Sequence, residues 1–100
     1  IRIGEIKEVK DHPNADKLYV LKVDTGEERN IVAGIKENYK KEELKGKKIV
    51  ILCNLEEKEV RGVKSEGMLL AAVDGNKISL LIPDKEVKEG AKIEWIKRIS

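Results

Sequence analysis

Cysteine, histidine, aromatic residues and glutamine are scarce in this chain. Its 100 residues include one cysteine, one histidine and three aromatic residues, with neither phenylalanine nor glutamine. A single cysteine excludes an internal disulfide and a cysteine-based zinc site, and it fits a reducing cytoplasm, where we expect the protein to reside. The lack of glutamine beside abundant lysine, glutamate and isoleucine is typical of proteins from very hot habitats.

Long apolar runs and a charge excess are also missing. No stretch reaches the roughly 18 apolar residues that a membrane span requires, so we expect no membrane partner. The 21 basic and 19 acidic residues leave a net charge of only +2, whereas strong nucleic-acid binders usually show a clear basic excess. Any contact with nucleic acid must therefore come from local patches. Length and composition predict one folded domain over residues 1–100.

The residue pattern is mostly that of β-strands. Strands are predicted over residues 1–9, 18–24, 29–33, 47–53, 68–73, 77–82 and 92–99. The helix candidate covers residues 38–44 and ends before Gly46. A change of register after Gly4 predicts a bulge that bends the first strand. Apolar side chains on both faces of residues 18–24 predict a buried central strand.

This order of elements predicts an all-β fold. Five strands, one short helix between strands three and four, and additional C-terminal strands match the oligonucleotide/oligosaccharide-binding barrel, or OB-fold. A β-sandwich is the competing fold, and the position of the helix favours the barrel.

Groups suited to catalysis or metal binding are few. His12 is the only histidine, and Cys53 lies far along the chain in a predicted apolar strand, where we expect a buried and unreactive thiol. No glycine-rich phosphate motif of the Walker or Rossmann kind occurs. We therefore predict no catalytic residue, no metal site and no cofactor, and an enzyme would require Cys53 to be exposed.

The segment from Asn54 to Met68, NLEEKEVRGVKSEGM, is the most informative stretch. It joins two apolar runs and carries the pair Arg61-Gly62 and a second glycine, Gly67. Glycine lets another backbone approach closely, while arginine and serine donate hydrogen bonds to phosphate. The segment is either a phosphate-contacting loop or a long polar loop whose glycines only shape its turns.

The shortage of aromatic side chains limits the kind of nucleic acid that could bind. OB barrels that hold single strands stack the bases on aromatic rings. Here Tyr19 and Trp95 lie in predicted strands, where a core or interface position is more common. A nucleic-acid contact would therefore read backbone and shape, which indicates folded RNA.

Two motifs together resemble a known family. Residues 12–18 read HPNADKL, and residues 54–55 and 61–68 read NL and RGVKSEGM. The pair resembles the tRNA-binding domain at the C-terminus of many methionyl-tRNA synthetases. That module also occurs as a free-standing structure-specific tRNA-binding protein and in synthetase-associated cytokine precursors, and a related one lies in the β subunit of phenylalanyl-tRNA synthetase. Further matches in the same order are Ile1–Gly4, Val23–Gly26, Ile31–Gly34 and Glu42–Leu44.

The resemblance implies a non-catalytic OB barrel that grips the outer corner of folded tRNA without reading its anticodon. It implies assistance to aminoacylation as the C-terminal domain or subunit of methionyl-tRNA synthetase, and a homodimer. For the dimer contact we expect exposed apolar residues at the two chain ends: Ile1, Ile3, Trp95 and Ile99. The alternative is a dimerisation or docking module of a synthetase assembly with incidental RNA binding.

The motif positions give the expected RNA-binding residues. Arg61 is a planar fork suited to phosphate, and Ser65 is a short-range donor whose alternative role is a turn hydroxyl bonded to its own backbone. The full expected set is Arg61, Ser65, Lys58, Lys64, Asn54, Met68 and Lys17. Relatives often carry Lys-Pro where this chain has Glu56-Glu57, a change that removes a positive charge from the expected RNA loop.

Overall fold

The protein, described here by a computed structural model over residues 1–53, 56–94 and 96, is an all-β chain with one turn of helix. The elements, in chain order, are β1 Arg2–Asp11, β2 Tyr19–Asp24, β3 Glu28–Ala33, α1 Lys41–Leu44, β4 Lys48–Leu52, β5 Lys58–Val60, β6 Val63–Ser65, β7 Met68–Leu69, β8 Ala71–Asp74 and β9 Lys77–Leu80. All pairings between named strands are antiparallel.

Five strands form one curled sheet in the order β3-β2-β1-β4-β7. The sheet curls until its edges meet, since the Glu66 amide donates to the Asn30 carbonyl (2.8 Å) and the Val32 amide to Ser65 Oγ (3.1 Å). The helix α1 lies between β3 and β4, as predicted, and is shorter than expected. These features confirm the predicted OB-type barrel.

The length and bend of β1 allow it to pair on both sides. Its first residues pair with β4 and the remainder with β2, and the register against β2 shifts between Ile6 and Glu8. The predicted bulge is therefore present, but at Lys7 rather than at Gly4. Gly4 instead permits close packing, because a Cβ there would lie 2.5 Å from Val23 Cγ1.

The barrel interior is filled by aliphatic side chains. Tyr19, Leu21 and Val23 alternate inward along β2, which lies between β1 and β3 as the predicted central strand. Leu44 of α1 is fully buried and covers one end of the barrel. The fully buried set is Ile6, Leu21, Val23, Ile31, Leu44, Ile49 and Ile51. Each such side chain contributes about 1.5–3 kcal/mol relative to full exposure.

Residues 58–65 form a hairpin within the segment that the sequence predicted as a loop between two apolar strands. Val60 pairs with Val63 across a two-residue turn of Arg61 and Gly62, whose φ angles are 53° and 89°. Two successive positive φ angles are those of a type I′ turn, whose twist matches that of paired strands. Three-residue strands rich in charge carry little alternation, which is why the hairpin left a weak signal in the sequence.

The predicted strand 68–73 is divided between two sheets. Met68 and Leu69 pair with β4 in the main sheet, whereas Ala71–Asp74 pair with β9 in a separate hairpin. The predicted strand 92–99 lies largely outside the described residues. Within it, Lys92 forms an isolated bridge with Arg2.

Candidate nucleic-acid interface

The two sequence motifs meet in space. The β1–β2 loop, residues 12–18, packs its first side chain against the β5–β6 hairpin: His12 Nε2 lies 2.8 Å from the Val60 carbonyl oxygen. The other ring nitrogen, Nδ1, accepts the Asn14 amide at 2.9 Å. Because Nδ1 accepts, the proton of the neutral ring is assigned to Nε2, which donates to Val60. His12 is only 5% exposed.

Asn14 holds the next residue of the hairpin. Its Nδ2 donates to the Arg61 carbonyl at 2.9 Å, and a Cβ at Gly62 would lie 3.3 Å from the same Nδ2. Arg61 is the only non-glycine residue with positive φ in the described part of the chain. Two side chains of the first motif thus hold two successive carbonyls of the turn that carries Arg61.

The base of the β1–β2 loop is fixed to the helix side of the barrel. Asp11 Oδ2 lies 2.8 Å from Lys41 Nζ, and Asp11 Oδ1 lies 2.9 Å from Lys36 Nζ. The hydrogen bonds from Lys41 and then Lys36 hold the pKa of the Asp11 carboxyl below its usual range, and the same contact raises the pKa of Lys41. The loop therefore starts from an anchored position.

Four of the predicted RNA-binding side chains are cations on the surface of this region. Arg61, Lys58 and Lys64 are exposed on the hairpin, and Lys17 is exposed at the end of the β1–β2 loop. Two of them have acidic neighbours: Lys64 lies 3.1 Å from Glu57 and Lys17 lies 3.4 Å from Glu37. Exposed pairs of this kind contribute little to stability and can be exchanged for other anions.

Two further residues of the expected set, Ser65 and Met68, differ in exposure. Ser65 is 6% exposed, and its hydroxyl accepts from the Val32 amide and donates to the Gly67 carbonyl at 3.1 Å. Ser65 therefore has the alternative role given above, a hydroxyl bonded to nearby backbone, and it also joins the hairpin to β3, while its contact with RNA stays a prediction. Met68, by contrast, is 55% exposed beside the hairpin and is not a core residue.

The outer face of β2 and β3 extends the surface and was missed by the sequence reasoning. Lys22 on β2 is opposite Asn30 on β3, and Val20 is opposite Val32. Val32 also lines a small cavity of about 60 Å³ with Val60 and Met68, so this face continues to the hairpin. The alternation of Lys22 with buried Leu21 and Val23 was the available signal.

Charges of both signs lie on that face. Lys22 Nζ is 3.9 Å from a Glu8 oxygen and 3.7 Å from a Glu28 oxygen. OB-folds bind oligonucleotides on the face of their second and third strands, between the loop that joins strands one and two and the loop that joins strands four and five. In this chain those loops are residues 12–18 and the segment that contains the β5–β6 hairpin.

Cys53 and His12 are the two groups that the sequence analysis considered for catalysis. Cys53 is half-buried rather than fully buried as predicted, and its Sγ lies 3.8 Å from the Ile51 carbonyl. Both nitrogens of His12 are engaged with backbone groups. Within residues 1–53, 56–94 and 96, no three His, Cys, Asp or Glu side chains are placed to share a metal ion.

Over the same residues, no helix is long and apolar enough to cross a membrane.

The predicted residues at the chain ends divide into two groups. Ile1 is 47% exposed, but Ile3 is 2% exposed, so the expectation of an exposed Ile3 was wrong: its backbone is hydrogen-bonded to Gly90 and Ala91 of the C-terminal part of the chain. Asn54, Trp95 and Ile99 lie outside the described residues. Within residues 92–94 and 96, the exposed apolar residues are Ile93 and Ile96.

Comparison with known proteins gives consistent matches. A family model described as "Putative tRNA binding domain" matches residues 1–92. The chain is 63% identical over 94 residues to the methionine–tRNA ligase of Pyrococcus horikoshii and 51% identical over 96 residues to that of Methanocaldococcus jannaschii. Each match covers 93% of this chain, but the chain spans only 13% and 15% of the lengths of these two relatives.

Two solved structures have the same fold as this chain. The MetRS related protein from Pyrococcus horikoshii superposes with a TM-score of 0.86 at 39% identity, over 93% of this chain and 87% of that one. The CsaA chaperone protein from Picrophilus torridus gives a TM-score of 0.86 at 39% identity, over 93% and 89% of the two chains.

Proposed function

The chain belongs to the tRNA-binding domain family, and from that premise we propose that it binds folded tRNA without catalysing a reaction. The observation that carries the proposal is the contact between the two loops that flank the binding face of an OB barrel. One loop holds the hairpin turn, and the turn displays Arg61 between Lys58 and Lys64.

Recognition would act on the shape and backbone of the RNA rather than on its bases. Tyr19 is buried, and its hydroxyl donates to the Tyr39 carbonyl at 2.9 Å. The Tyr39 hydroxyl accepts the Leu80 amide at 3.0 Å. Both rings are therefore committed to the protein interior and are not platforms for stacked bases. Exposed cations on a pre-set hairpin suit phosphates and 2′-hydroxyls of folded RNA.

The chain would serve methionyl-tRNA synthetase as its C-terminal domain or as a detached subunit. Its high identity to two methionine–tRNA ligases supports this assignment. Catalysis would then lie in the remainder of the enzyme, and this module would increase capture of tRNA in the cytoplasm. The absence of glutamine supports an organism from a hot habitat.

A comparison of two RNAs at two salt concentrations tests the proposal. We expect bulk tRNA to bind more tightly than an unstructured RNA of equal length, and the affinity to fall steeply between about 50 mM and 200 mM salt, because phosphate contacts release counterions. Gel-shift titration measures both effects. Equal or absent binding to the two RNAs would contradict the tRNA proposal. A dimerisation or docking module would then be the remaining proposal.

Removal of one acidic side chain should tighten binding. Glu57 lies 3.1 Å from Lys64 and competes with phosphate for that cation. Glu57→Gln keeps the size of the side chain and removes its charge, so we expect tRNA affinity to rise about threefold, within the range of one exposed charge pair. Titrations at low and high salt measure it, and Glu86→Gln, on the exposed segment after β9, is the matched control. No gain beyond the control would show that Lys64 is not near phosphate.

A homodimer is proposed from the exposed apolar residues at the chain ends. Ile1, Ile93 and Ile96 are 47%, 44% and 72% exposed, and the Ile93 amide donates to the Ile1 carbonyl at 2.9 Å. Interface cores are rich in such aliphatic groups. Two copies would raise the affinity for tRNA through avidity. Light scattering across the concentrations of the binding assay determines the mass directly.

A further inference from the structure

We propose that His12 is a positioning residue for tRNA capture. Its neutral ring, together with Asn14, holds the Arg61-Gly62 turn in place. Protonation of the ring then releases the turn and weakens tRNA binding. The proposal rests on the tRNA-binding function proposed above and adds a regulating residue to the same site. In this role His12 does not contact RNA and acts through the hairpin.

The geometry requires a neutral ring. His12 Nδ1 accepts the Asn14 amide proton at 2.9 Å while Nε2 donates to the Val60 carbonyl at 2.8 Å. A protonated imidazole has two N–H donors and no acceptor. Protonation would therefore place Nδ1–H against the Asn14 N–H, and the ring is too buried, at 5% exposure, for water to replace the lost partner easily.

Loss of that bond would pass directly to Arg61. Asn14 donates its backbone N–H to His12 Nδ1. Its side-chain Nδ2 donates to the Arg61 carbonyl at 2.9 Å. The Arg61 φ of 53° is costly for a residue with a Cβ and persists where surrounding contacts hold it. When Asn14 shifts, the turn loses the contact that fixes this conformation, and Arg61 becomes disordered before it binds phosphate.

The charged groups beside His12 come from both packed elements. Asp11 is the last residue of β1, the β1–β2 loop carries Asp16 and Lys17, and the hairpin carries Glu59 and Arg61. Asp11 is engaged by Lys36 and Lys41. In the described part of the chain, the ring's own hydrogen bonds go to backbone atoms and not to a carboxylate that would favour its charged form.

The sign of the pH effect separates this role from a direct contact. A histidine that touched phosphate would bind more tightly in acid, because it would gain a positive charge. A histidine that must stay neutral to hold the hairpin predicts the reverse. His12 is the single histidine of the chain, so a variant without a titrating group at position 12 shows whether this ring carries the response.

The test compares tRNA affinity at pH 7.5 and pH 5.5, at constant ionic strength, for the parent, His12→Gln and His12→Asn. We expect the parent to bind about fivefold more weakly in acid, the effect of one hydrogen bond. His12→Asn keeps the acceptor for the Asn14 amide and does not titrate, so it should bind more tightly than His12→Gln at pH 7.5 and keep that affinity in acid. His12→Gln keeps only the donor for Val60, so at both pH values it should bind about as weakly as the parent does at pH 5.5.

Nuclear magnetic resonance provides a readout that needs no RNA. The Arg61 and Gly62 amide signals of the parent should shift with the titration of the His12 ring, whose nitrogen shifts should report Nε2–H in the neutral form. Three results would each overturn the proposal: parent binding that is unchanged or tighter in acid, an equal loss of affinity in acid for the parent and His12→Asn, or Arg61 and Gly62 signals that do not follow the titration of the ring. Failure to bind tRNA at pH 7.5, with the NMR coupling intact, would instead count against the proposed function alone.

Discussion

Replacement of Arg61 by alanine should weaken tRNA binding about tenfold. The slope of log affinity against log salt concentration should fall by about one, the value for one phosphate contact. Arg61 is the exposed fork of a turn whose carbonyls are held by His12 and Asn14. Its guanidinium is therefore presented to ligand from a fixed backbone, so little ordering is left for binding to impose. Alanine keeps the backbone strain of a φ of 53°, so the variant should remain as stable as the parent.

Two further variants identify the cause of the loss. Arg61→Lys retains the charge but not the planar fork, so its affinity should lie between those of the parent and Arg61→Ala. Lys85→Ala removes the same charge from the exposed segment after β9 and should change affinity little. Gel-shift titration at several salt concentrations measures the affinity and the slope. A folded Arg61→Ala that binds like Lys85→Ala would remove Arg61 from the interface.

Replacement of Gly67 by alanine should destabilise the barrel by about 2–4 kcal/mol. A Cβ at Gly67 would lie 2.9 Å from the Leu52 carbonyl oxygen and 3.4 Å from Ile51 Cγ2. The oxygen belongs to the backbone of β4, which pairs with β7 and cannot move aside without opening that ladder. The φ of 157° adds a second cost, because side-chain-bearing residues rarely adopt it.

Comparison with Gly75 separates the cost of a positive φ angle from the cost of a steric clash with Leu52. Gly75 has a φ of 60°, but a Cβ there meets no atom within 4 Å, so Gly75→Ala should cost only about 1–2 kcal/mol. Urea unfolding followed by circular dichroism measures both variants. Similar losses in the two would show that the Leu52 contact is relieved by small shifts and that only backbone conformation matters. A larger loss in Gly67→Ala would show that the β4 backbone lies too close to Gly67 to admit a Cβ.

The fold was largely predictable because its signals are local. The apolar run of β2 and the helix stop near Gly46 each depend on a few adjacent residues, and each is present in the structure. The errors share another origin. The bulge lies at Lys7 instead of Gly4, and residues 68–73 divide between two sheets. Both depend on which strand pairs with which, and that information is not local.

The candidate site was predicted by residue type but not by arrangement. The sequence marked Arg61, Lys58, Lys64 and Lys17 as cations on loops, and the structure places all four on the surface. It could not show that Ser65 is buried, because the burial follows from a contact with Val32 more than thirty residues away. Nor could it show that the histidine motif supports the hairpin turn.

The sequence by itself determined the class of the molecule: an all-β barrel with near-balanced charge, few aromatic groups and two motifs of a tRNA-binding family. These properties follow from composition, from the period of the apolar residues and from short motifs. Only the tertiary structure decided that the two motifs form one surface, with His12 and Asn14 holding the turn of Arg61. The reason is that curling of the sheet brings residues 12–14 and 60–62 together, and hydrogen bonds between distant segments leave no periodic trace in either segment alone.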